Sequence, residues 1–370
     1  MKKKKRKGTG TSKEKYTFSE NTPLFIIDLN KLQPGDIILT RDKTLRSISV
    51  RAATLGSYSH AMICLSPSSI IDATIDGKVY TKNTQRQIFK SVNDCIVLRL
   101  KSALSGSDIE KIENFLRLKV ATPYSVKEAV RTPAEKNKST EAKEQGQFCS
   151  RLVAQAYDHI GIRLAKNPDY CVPSDLSKSE LLTKVENILL VANETNIKIA
   201  NKKDLVEENR KETYAWLDRV TTLGKAENYN IDTINDVAKF LRAHPKYDRK
   251  VCEYIESTRY QTQYLDDIEA NPERYFYNKD SSLDVEAELS NIKTIFEHQK
   301  KNYTATRKNY NLDKSKFNKL HKKLYTNLLK HLLRRLRVLV EYVDNSTNQD
   351  SGDLTLEINS MIYLITNTLK

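Results

Sequence analysis

The residue of this chain best suited to chemistry is Cys149, which stands in the segment QFCSRLVAQAY of residues 147–157. Leu152, Val153 and Ala156 follow it at helical spacing, so the segment predicts the start of a helix with the cysteine in its first turn. Backbone N–H groups at a helix start favour thiolate over thiol, and this is one of the known settings of a nucleophilic cysteine. A single cysteine on a helix is nevertheless most often a small buried residue.

A histidine and an acidic residue lie earlier in the chain, within residues 56–74. Gly56 precedes an apolar run that starts at His60, and a Pro-Ser-Ser turn leads from it into a second apolar run that carries Asp72. Two strands joined by so short a turn pair antiparallel, so we expect His60 and Asp72 to lie close enough to interact. Taken alone, His60 would more often be a strand-end histidine bonded to backbone.

A thiol near a helix start, a histidine at a strand start and a polar residue on the neighbouring strand are the three parts of a cysteine hydrolase. The imidazole takes the thiol proton and later delivers a proton to the leaving group. The third residue orients the imidazole, and the helix start supplies N–H groups for the oxyanion. In ordinary papain-like enzymes the cysteine helix precedes the histidine strand, and here the order is reversed.

Five stretches carry a family resemblance in that reversed order. They are LQPGDIIL (32–39), YSHAMI (58–63), IDAT (71–74), FCSRLV (148–153) and PSDL (173–176). With them, residues 30–192 resemble the circularly permuted papain-like hydrolases, which form the YiiX, YebB and YaeF-like branch of the NlpC superfamily and are related to lecithin-retinol acyltransferase. The C-terminal half of the chain has no part in this resemblance.

The resemblance implies an α+β fold with a permuted papain-like core, in which an antiparallel sheet packs on the helix that carries the cysteine. It implies Cys149 as nucleophile and His60 as base. The third position of this branch is often Glu, and the matching residue here is Asp72; Thr74, two residues on and facing the same side, is the alternative. The implied chemistry is acyl transfer through a thiol on an amide- or acyl-bearing substrate, with a peptide-type amide as the first interpretation and lipid acyltransferase or thioesterase activity as the second.

Composition and cysteine usage exclude several classes of protein. No apolar run approaches the roughly eighteen residues that cross a bilayer, and the N-terminal MKKKKRKG has no apolar segment behind its charges. We therefore expect a cytoplasmic protein without a cleavable secretory signal. The cysteines at positions 64, 95, 149, 171 and 252 are widely spaced and lack both a Cys-x-x-Cys pair and clustered histidines. That spacing predicts no disulfide framework and no metal site, and we expect no cofactor.

The net charge of +15 is concentrated in two segments. Residues 1–20 hold eight Lys or Arg against two Glu, and residues 301–340 hold twelve against Asp313 alone. We expect residues 1–20 to be disordered and both segments to attract an acidic surface such as an anionic membrane. Charges that only keep a tail and a helix solvated are the alternative. Nucleic acid is not expected as a partner, because no helix-turn-helix or Gly-rich phosphate loop is present.

The length of 370 residues and a change in composition predict two domains after the tail. We place the hydrolase domain at residues 21–195 and an all-α domain at 200–370, because only two prolines and two glycines occur from residue 174 to residue 370. The role of this helical half is open, and a binding module for an acidic partner is a further hypothesis. The predicted segments are helices at 44–55 and 107–120, a loop at 131–146, a strand at 187–191, and helices at 203–222, 231–243, 248–270, 282–301, 312–344 and 354–369.

Overall fold

The computed structural model describes residues 15–41, 56–74, 78–138, 141, 146–280, 283–345 and 351–370. The chain divides into two compact units, residues 1–203 and 204–370. Within the described residues, the first unit combines antiparallel strands with helices and the second is helical, so the α+β class and the helical C-terminal region are confirmed. The helix expected at 44–55 and most of the basic tail, residues 1–14, lie outside the described residues.

The strands of the first unit are short and pair antiparallel. They are β1 (Phe25–Ile27), β2 (Ile37–Thr40), β3 (His60–Ser66), β4 (Ser69–Ala73), β5 (Val79–Asn83), β6 (Cys95–Leu100), β7 (Leu182–Lys184) and β8 (Leu189–Val191). Six of them form one sheet in the order β5-β4-β3-β2-β6-β7, and β1 pairs with β8. Strands β3 and β4 are therefore neighbours joined by a tight turn, as the sequence predicts.

The central strands β2, β3 and β4 are buried on both faces, which explains why they are continuous apolar runs without polar alternation. Ile37, Ala61, Ile63 and Ile71 lie on one face, in the same core as the helix that carries Cys149. The opposite face carries Ile38, Met62, Cys64 and Ile70. The sheet thus holds the ends of β3 and β4 in a fixed position relative to that helix.

The helices of the first unit are α1 (Gly106–Leu118), α2 (Val126–Glu135), α3 (Cys149–Asp158), α4 (Pro173–Ser177) and α5 (Glu194–Asn201). The loop expected at 131–146 is wrong in its first part, because α2 continues to Glu135. Ser125 caps the start of α2 through a hydrogen bond from the Glu128 amide, and the Thr132 hydroxyl donates to the Glu128 carbonyl. Glu128 and Thr132 are buried, so polar composition misled the sequence interpretation.

Helix α3 is attached to the sheet through the turn that precedes β2. The Tyr157 hydroxyl donates to the carbonyl of Gly35 at 2.5 Å. Gly35 has φ +89°, and a Cβ there would lie 2.6 Å from Cδ1 of Leu104. Only glycine fits such a left-handed, crowded position. The Pro-Gly turn of the LQPGDIIL stretch therefore fixes the far end of the cysteine helix as well as the start of a strand.

The helices of the second unit are α6 (Leu205–Ala226), α7 (Ile234–Ala243), α8 (Asp248–Glu256), α9 (Asp266–Ala270), α10 (Val285–Asp313), α11 (Lys316–Asp344) and α12 (Ser351–Leu369). The single helix expected at 248–270 is wrong, because α8 ends at Glu256 and α9 begins at Asp266. The hydroxyls of Ser257 and Thr258 donate to carbonyls three residues earlier, which competes with continuation of the helix.

Helices α10 and α11 form an antiparallel hairpin. Lys314 joins them in a left-handed conformation, φ +51°, and the Ser315 side chain caps α11. The apolar side chains of all three long helices share one core, in which α10 contributes Ile292 and Phe296, α11 contributes Leu332 and Leu336, and α12 contributes Ile358 and Ile365. Among the described residues, no helix combines the length and the apolar character that crossing a membrane requires.

Candidate active site

Cys149 is the first residue of α3 and so lies in the first turn of a helix, where the sequence predicts it. Phe148 precedes it in extended conformation and gives the helix no side-chain cap, so the thiol lies beside helix-start amides that no cap occupies. The backbone N–H of Ala61, the second residue of β3, hydrogen-bonds to the thiol. Cys149 is 7% exposed. The sulfur thus lies between the start of a helix and the start of a strand.

His60 is the first residue of β3 and joins the thiol to an acidic residue. Its Nε2 lies 2.6 Å from Oδ1 of Asp72. It also hydrogen-bonds to Cys149, and because Nε2 is engaged by Asp72, Nδ1 is the ring nitrogen left for the thiol. The histidine side chain keeps 27% of its surface exposed. The imidazole can therefore be reached from outside although both its partners are buried.

Asp72 has a second partner that sequence reasoning missed. It is fully buried on β4, and its other carboxylate oxygen accepts a hydrogen bond from Lys82 on β5. In the β4–β5 register Asp72 lies opposite Tyr80, and Ile70 lies opposite Lys82. Lys82 is therefore the diagonal cross-strand neighbour of the aspartate. The Asp-Gly pair that precedes the β-prone run VYTKN was a signal for this third hairpin strand.

These contacts set the charges of the site. Burial disfavours the imidazolium, but the negative charges of Asp72 and Cys149 and hydrogen bonds to both outweigh it and raise the pKa of His60 to about 10. Burial likewise works against the thiolate, and the His60 imidazolium with the Ala61 amide outweighs it and lowers the pKa of Cys149. Despite burial, His60 and Lys82 lower the pKa of Asp72 to about 2. Both shifts favour a thiolate–imidazolium pair over the neutral thiol and imidazole.

The other four cysteines have the opposite shift. All five thiols are free and buried. Burial raises the pKa of Cys64, Cys95 and Cys171, and it raises the pKa of Cys252 to about 12. Cys149 is therefore the one thiol of the chain whose surroundings favour the reactive thiolate.

The alternative third residue, Thr74, follows the last residue of β4 and is half-buried. The carboxylate that meets His60 is that of Asp72. A carboxylate beside an imidazole both fixes the ring and stabilises its charged form. The geometry therefore favours Asp72 over Thr74 for this role.

A polar network that the sequence did not reveal holds the segment before Cys149. The Gln147 amide donates to Gln155 at 2.8 Å, and the Gln155 amide donates to Asp169 at 2.6 Å. The Arg151 guanidinium donates to the Gly146 carbonyl at 2.8 Å. The Ser150 hydroxyl donates to the carbonyl of residue 171 at 2.7 Å. These bonds fix the approach to α3, and hence the direction of the thiol.

Side chains of types that can ligate metals meet at this site in Cys149, His60 and Asp72, within the part of the chain that the structure describes. Within that part, no group of three or more His, Cys, Asp or Glu side chains is placed to hold a metal ion. The chemically active groups that the site brings together are the thiol of Cys149, the imidazole of His60, the carboxylate of Asp72 and the ammonium of Lys82.

Comparison with known proteins gives a weak likeness among solved structures and no match elsewhere. No family model matches the chain, and no curated protein does. Among solved structures, the chain is similar to the metalloprotein yiiX from Escherichia coli O157:H7, DUF1105, at 18% identity and a TM-score of 0.30. The match covers 42% of this chain and 97% of that chain. A likeness this weak does not assign the chain to a family.

Proposed function

We propose that this protein is a cysteine hydrolase that cleaves an amide or peptide-type acyl bond, with Cys149 as nucleophile, His60 as base and acid, and Asp72 as the residue that orients His60. The observation that carries the proposal is the contact chain from the thiol through the imidazole to a buried carboxylate, together with the lowered pKa of the thiol. The reversed order of histidine strand and cysteine helix supports a permuted papain-like arrangement of this core.

Cys149 and His60 can together carry out both steps of the hydrolysis, formation of a thioester and its cleavage by water. The Cys149 thiolate attacks the substrate carbonyl carbon, and the negative charge that moves to the oxygen meets amides at the start of α3. The His60 imidazolium gives its proton to the leaving nitrogen as the C–N bond breaks, which leaves a thioester on Cys149. Water then gives a proton to His60 and attacks the thioester carbonyl. The C–S bond breaks, and the acid is released with the thiolate–imidazolium pair restored.

There are two alternatives. The first uses the same residues as the hydrolase, and the second uses none of them. A lipid acyltransferase or thioesterase would form the same thioester and pass the acyl group to an alcohol, an amine or water. A helical binding module for an acidic partner would need only the second unit. The buried Asp72–His60 contact favours an enzyme, because a buried charge pair beside a thiol has a free-energy cost that a binding scaffold has no reason to maintain.

Selective alkylation tests whether Cys149 is the nucleophile. Treatment with iodoacetamide at about pH 6, where an ordinary thiol is almost fully protonated, should modify Cys149 well before any other cysteine in the chain. The modified residue would be mapped by mass spectrometry, with His60→Ala as the control that removes the imidazolium. Preferential modification of Cys64, Cys95, Cys171 or Cys252 would reject the assignment.

Electrophiles of two types then separate amide from lipid substrates. A peptidyl vinyl sulfone and a long-chain acyl p-nitrophenyl ester would be compared for their rates of adduct formation at Cys149. Faster reaction with the peptidyl probe supports the hydrolase proposal. Faster acylation by the lipid ester, with transfer of the acyl group to an added alcohol or amine, would move the assignment to an acyltransferase.

A further inference from the structure

The twelve Lys and Arg side chains of residues 301–340 do not form one uniform surface. Arg335 is buried and pairs with Glu288 on α10, and Arg334 lies over the rings of Tyr275 and Phe276. These two arginines stabilise the interior and flank of the helical unit. The cations that remain available to a partner are therefore concentrated nearer the turn between α10 and α11.

We call this region the basic hairpin end and define it by six cations. They are Arg307, Lys308, Lys314, Lys319, Lys322 and Lys323. All are exposed except Lys322, which is half-buried. They lie on the last turns of α10, at the connecting residue and on the first turns of α11. Because the hairpin is antiparallel, these turns occupy the same end of the helix pair.

Acidic groups near this end are few and already engaged. Asp313 accepts hydrogen bonds from the Ser315 amide and the Asn318 side chain. From α8, Asp248 accepts the amides of Lys316 and Phe317, and Glu256 pairs with the Lys316 ammonium. Among the described residues, Lys308, Lys319 and Lys323 have no carboxylate within ion-pair distance. Asp313 and Asp248 keep their negative charge, because the groups that donate to them are neutral, but the six cations outnumber them and leave the basic hairpin end with net positive charge.

Two features of the basic hairpin end are apolar. Leu312 stands immediately before the turn with 72% of its surface exposed. Tyr310 lies beneath the ammonium groups of Lys314 and Lys322, 4.8 and 5.2 Å from its ring centroid. A single exposed leucine is ordinary. An exposed leucine among clustered lysines has the arrangement of an element that lies on a membrane, with cations at the headgroups and an apolar side chain below them.

We propose that the basic hairpin end is a docking surface for an anionic lipid bilayer. Clustered Lys and Arg are attracted to a negatively charged leaflet by roughly 1 kcal/mol each near the surface, and salt screens that attraction. Six cations close to one exposed leucine suit a flat, negatively charged surface. A nucleic acid would instead favour a cationic groove or exposed aromatic rings on which bases stack, and the Tyr310 ring is covered by two lysines.

The test compares matched variants of the full chain. Lys308→Gln, Lys319→Gln and Lys323→Gln together remove three cations of the basic hairpin end. Lys90→Gln, Lys178→Gln and Lys279→Gln together remove three exposed cations elsewhere and give the same net charge. Co-sedimentation would use phosphatidylcholine vesicles with and without roughly one third phosphatidylserine, at low and physiological salt. The N-terminal basic tail is intact in both variants, so its contribution cancels.

We expect the hairpin triple variant to lose roughly tenfold or more of its partition onto phosphatidylserine vesicles, and the matched triple less than about threefold. Leu312→Ser should lower the binding that persists at physiological salt. An equal fall in both triple variants would overturn the proposal, because net charge alone would explain binding. Equal binding to neutral vesicles would overturn it as well. Tighter binding to duplex DNA, weakened by the hairpin triple alone, would assign the surface to nucleic acid instead.

Discussion

Positively charged side chains have different surroundings in the two units. In the first unit Lys82 meets the fully buried Asp72, and Arg99 meets the buried Asp36 at 2.7 Å. At the basic hairpin end of the second unit, all six cations except the half-buried Lys322 are exposed, Asp313 accepts only neutral donors, and Glu256 pairs with Lys316. A buried cation acts over a few ångströms on one partner, whereas exposed cations act together on a surface.

This contrast determines where each kind of charge has its effect. Removing a cation that compensates a buried carboxylate should change the protonation of the groups around it, and hence the rate of turnover. It should have little effect on how strongly the protein is attracted to a charged membrane surface. Removing exposed lysines should change attraction to a surface and leave turnover of a small substrate unaltered. Substitutions in the first unit test one side of the contrast, and the vesicle experiment tests the other.

The largest expected effect comes from the thiol and the imidazole. Cys149→Ala and His60→Ala should each lower turnover by at least about a thousandfold, because each removes a group that acts only in combination with the other. For the same reason, the double variant should be no worse than either single variant. Turnover of a soluble amide substrate and binding to vesicles would be measured on the same preparations.

Cys252→Ala is the matched control, since it removes a buried thiol from the second unit. It should keep turnover within about threefold. Multiplicative losses in the Cys149 and His60 double variant would contradict a shared role. Loss of vesicle binding in either single variant would contradict the separation between chemistry and surface attraction.

A smaller effect is expected at the residue that orients the imidazole. Asp72→Asn should lower turnover less than loss of His60 does, because nucleophile and base remain while the charge that favours imidazolium is lost. Thr74→Val should change turnover by less than about threefold. Steady-state kinetics on both variants would measure this difference. If Thr74→Val is the more damaging substitution, the third role belongs to Thr74.

Particular residues show what the sequence could predict. Cys149 at a helix start, and His60 beside Asp72 on paired strands, follow from local spacing and a short turn, and local patterns determine such contacts. Lys82 was missed because its partner lies on a neighbouring strand whose register the sequence does not state. The extension of α2 to Glu135 was missed because tertiary burial of Glu128 and Thr132 overrides polar composition.

In the helical unit, too, contacts between separate elements could not be predicted from the sequence. The sequence places twelve cations in residues 301–340, but it does not reveal that Arg335 is buried against Glu288 on the preceding helix. Pairing across a hairpin depends on how two helices pack, so charge counted along a sequence overstates the charge that a surface presents. The structure thereby separates charges that stabilise the fold from charges that remain for a partner.

Among the groups that meet in the site, Lys82 is the one whose substitution should lower turnover least, and the loss should depend on pH. Lys82→Gln keeps a hydrogen-bond donor for Asp72 but removes the positive charge. The negative field of Asp72 on His60 is then less compensated, which raises the pKa of the imidazolium further, and the lost positive charge also raises the pKa of the Cys149 thiol. Both limbs of the pH dependence of turnover should therefore move to higher pH, with roughly a tenfold loss near the acid limb.

The control substitutions separate electrostatics from structure. Lys82→Arg keeps the charge and should restore the wild-type profile, and Lys90→Gln removes an exposed lysine and should leave both limbs unchanged. The acid limb would be measured independently of turnover, as the pH dependence of Cys149 alkylation. A lower rate with unshifted limbs in Lys82→Gln would mean that Lys82 only supports the sheet. Shifted limbs with unaltered vesicle binding would place its effect on the protonation of the site, through the one carboxylate it shares with His60.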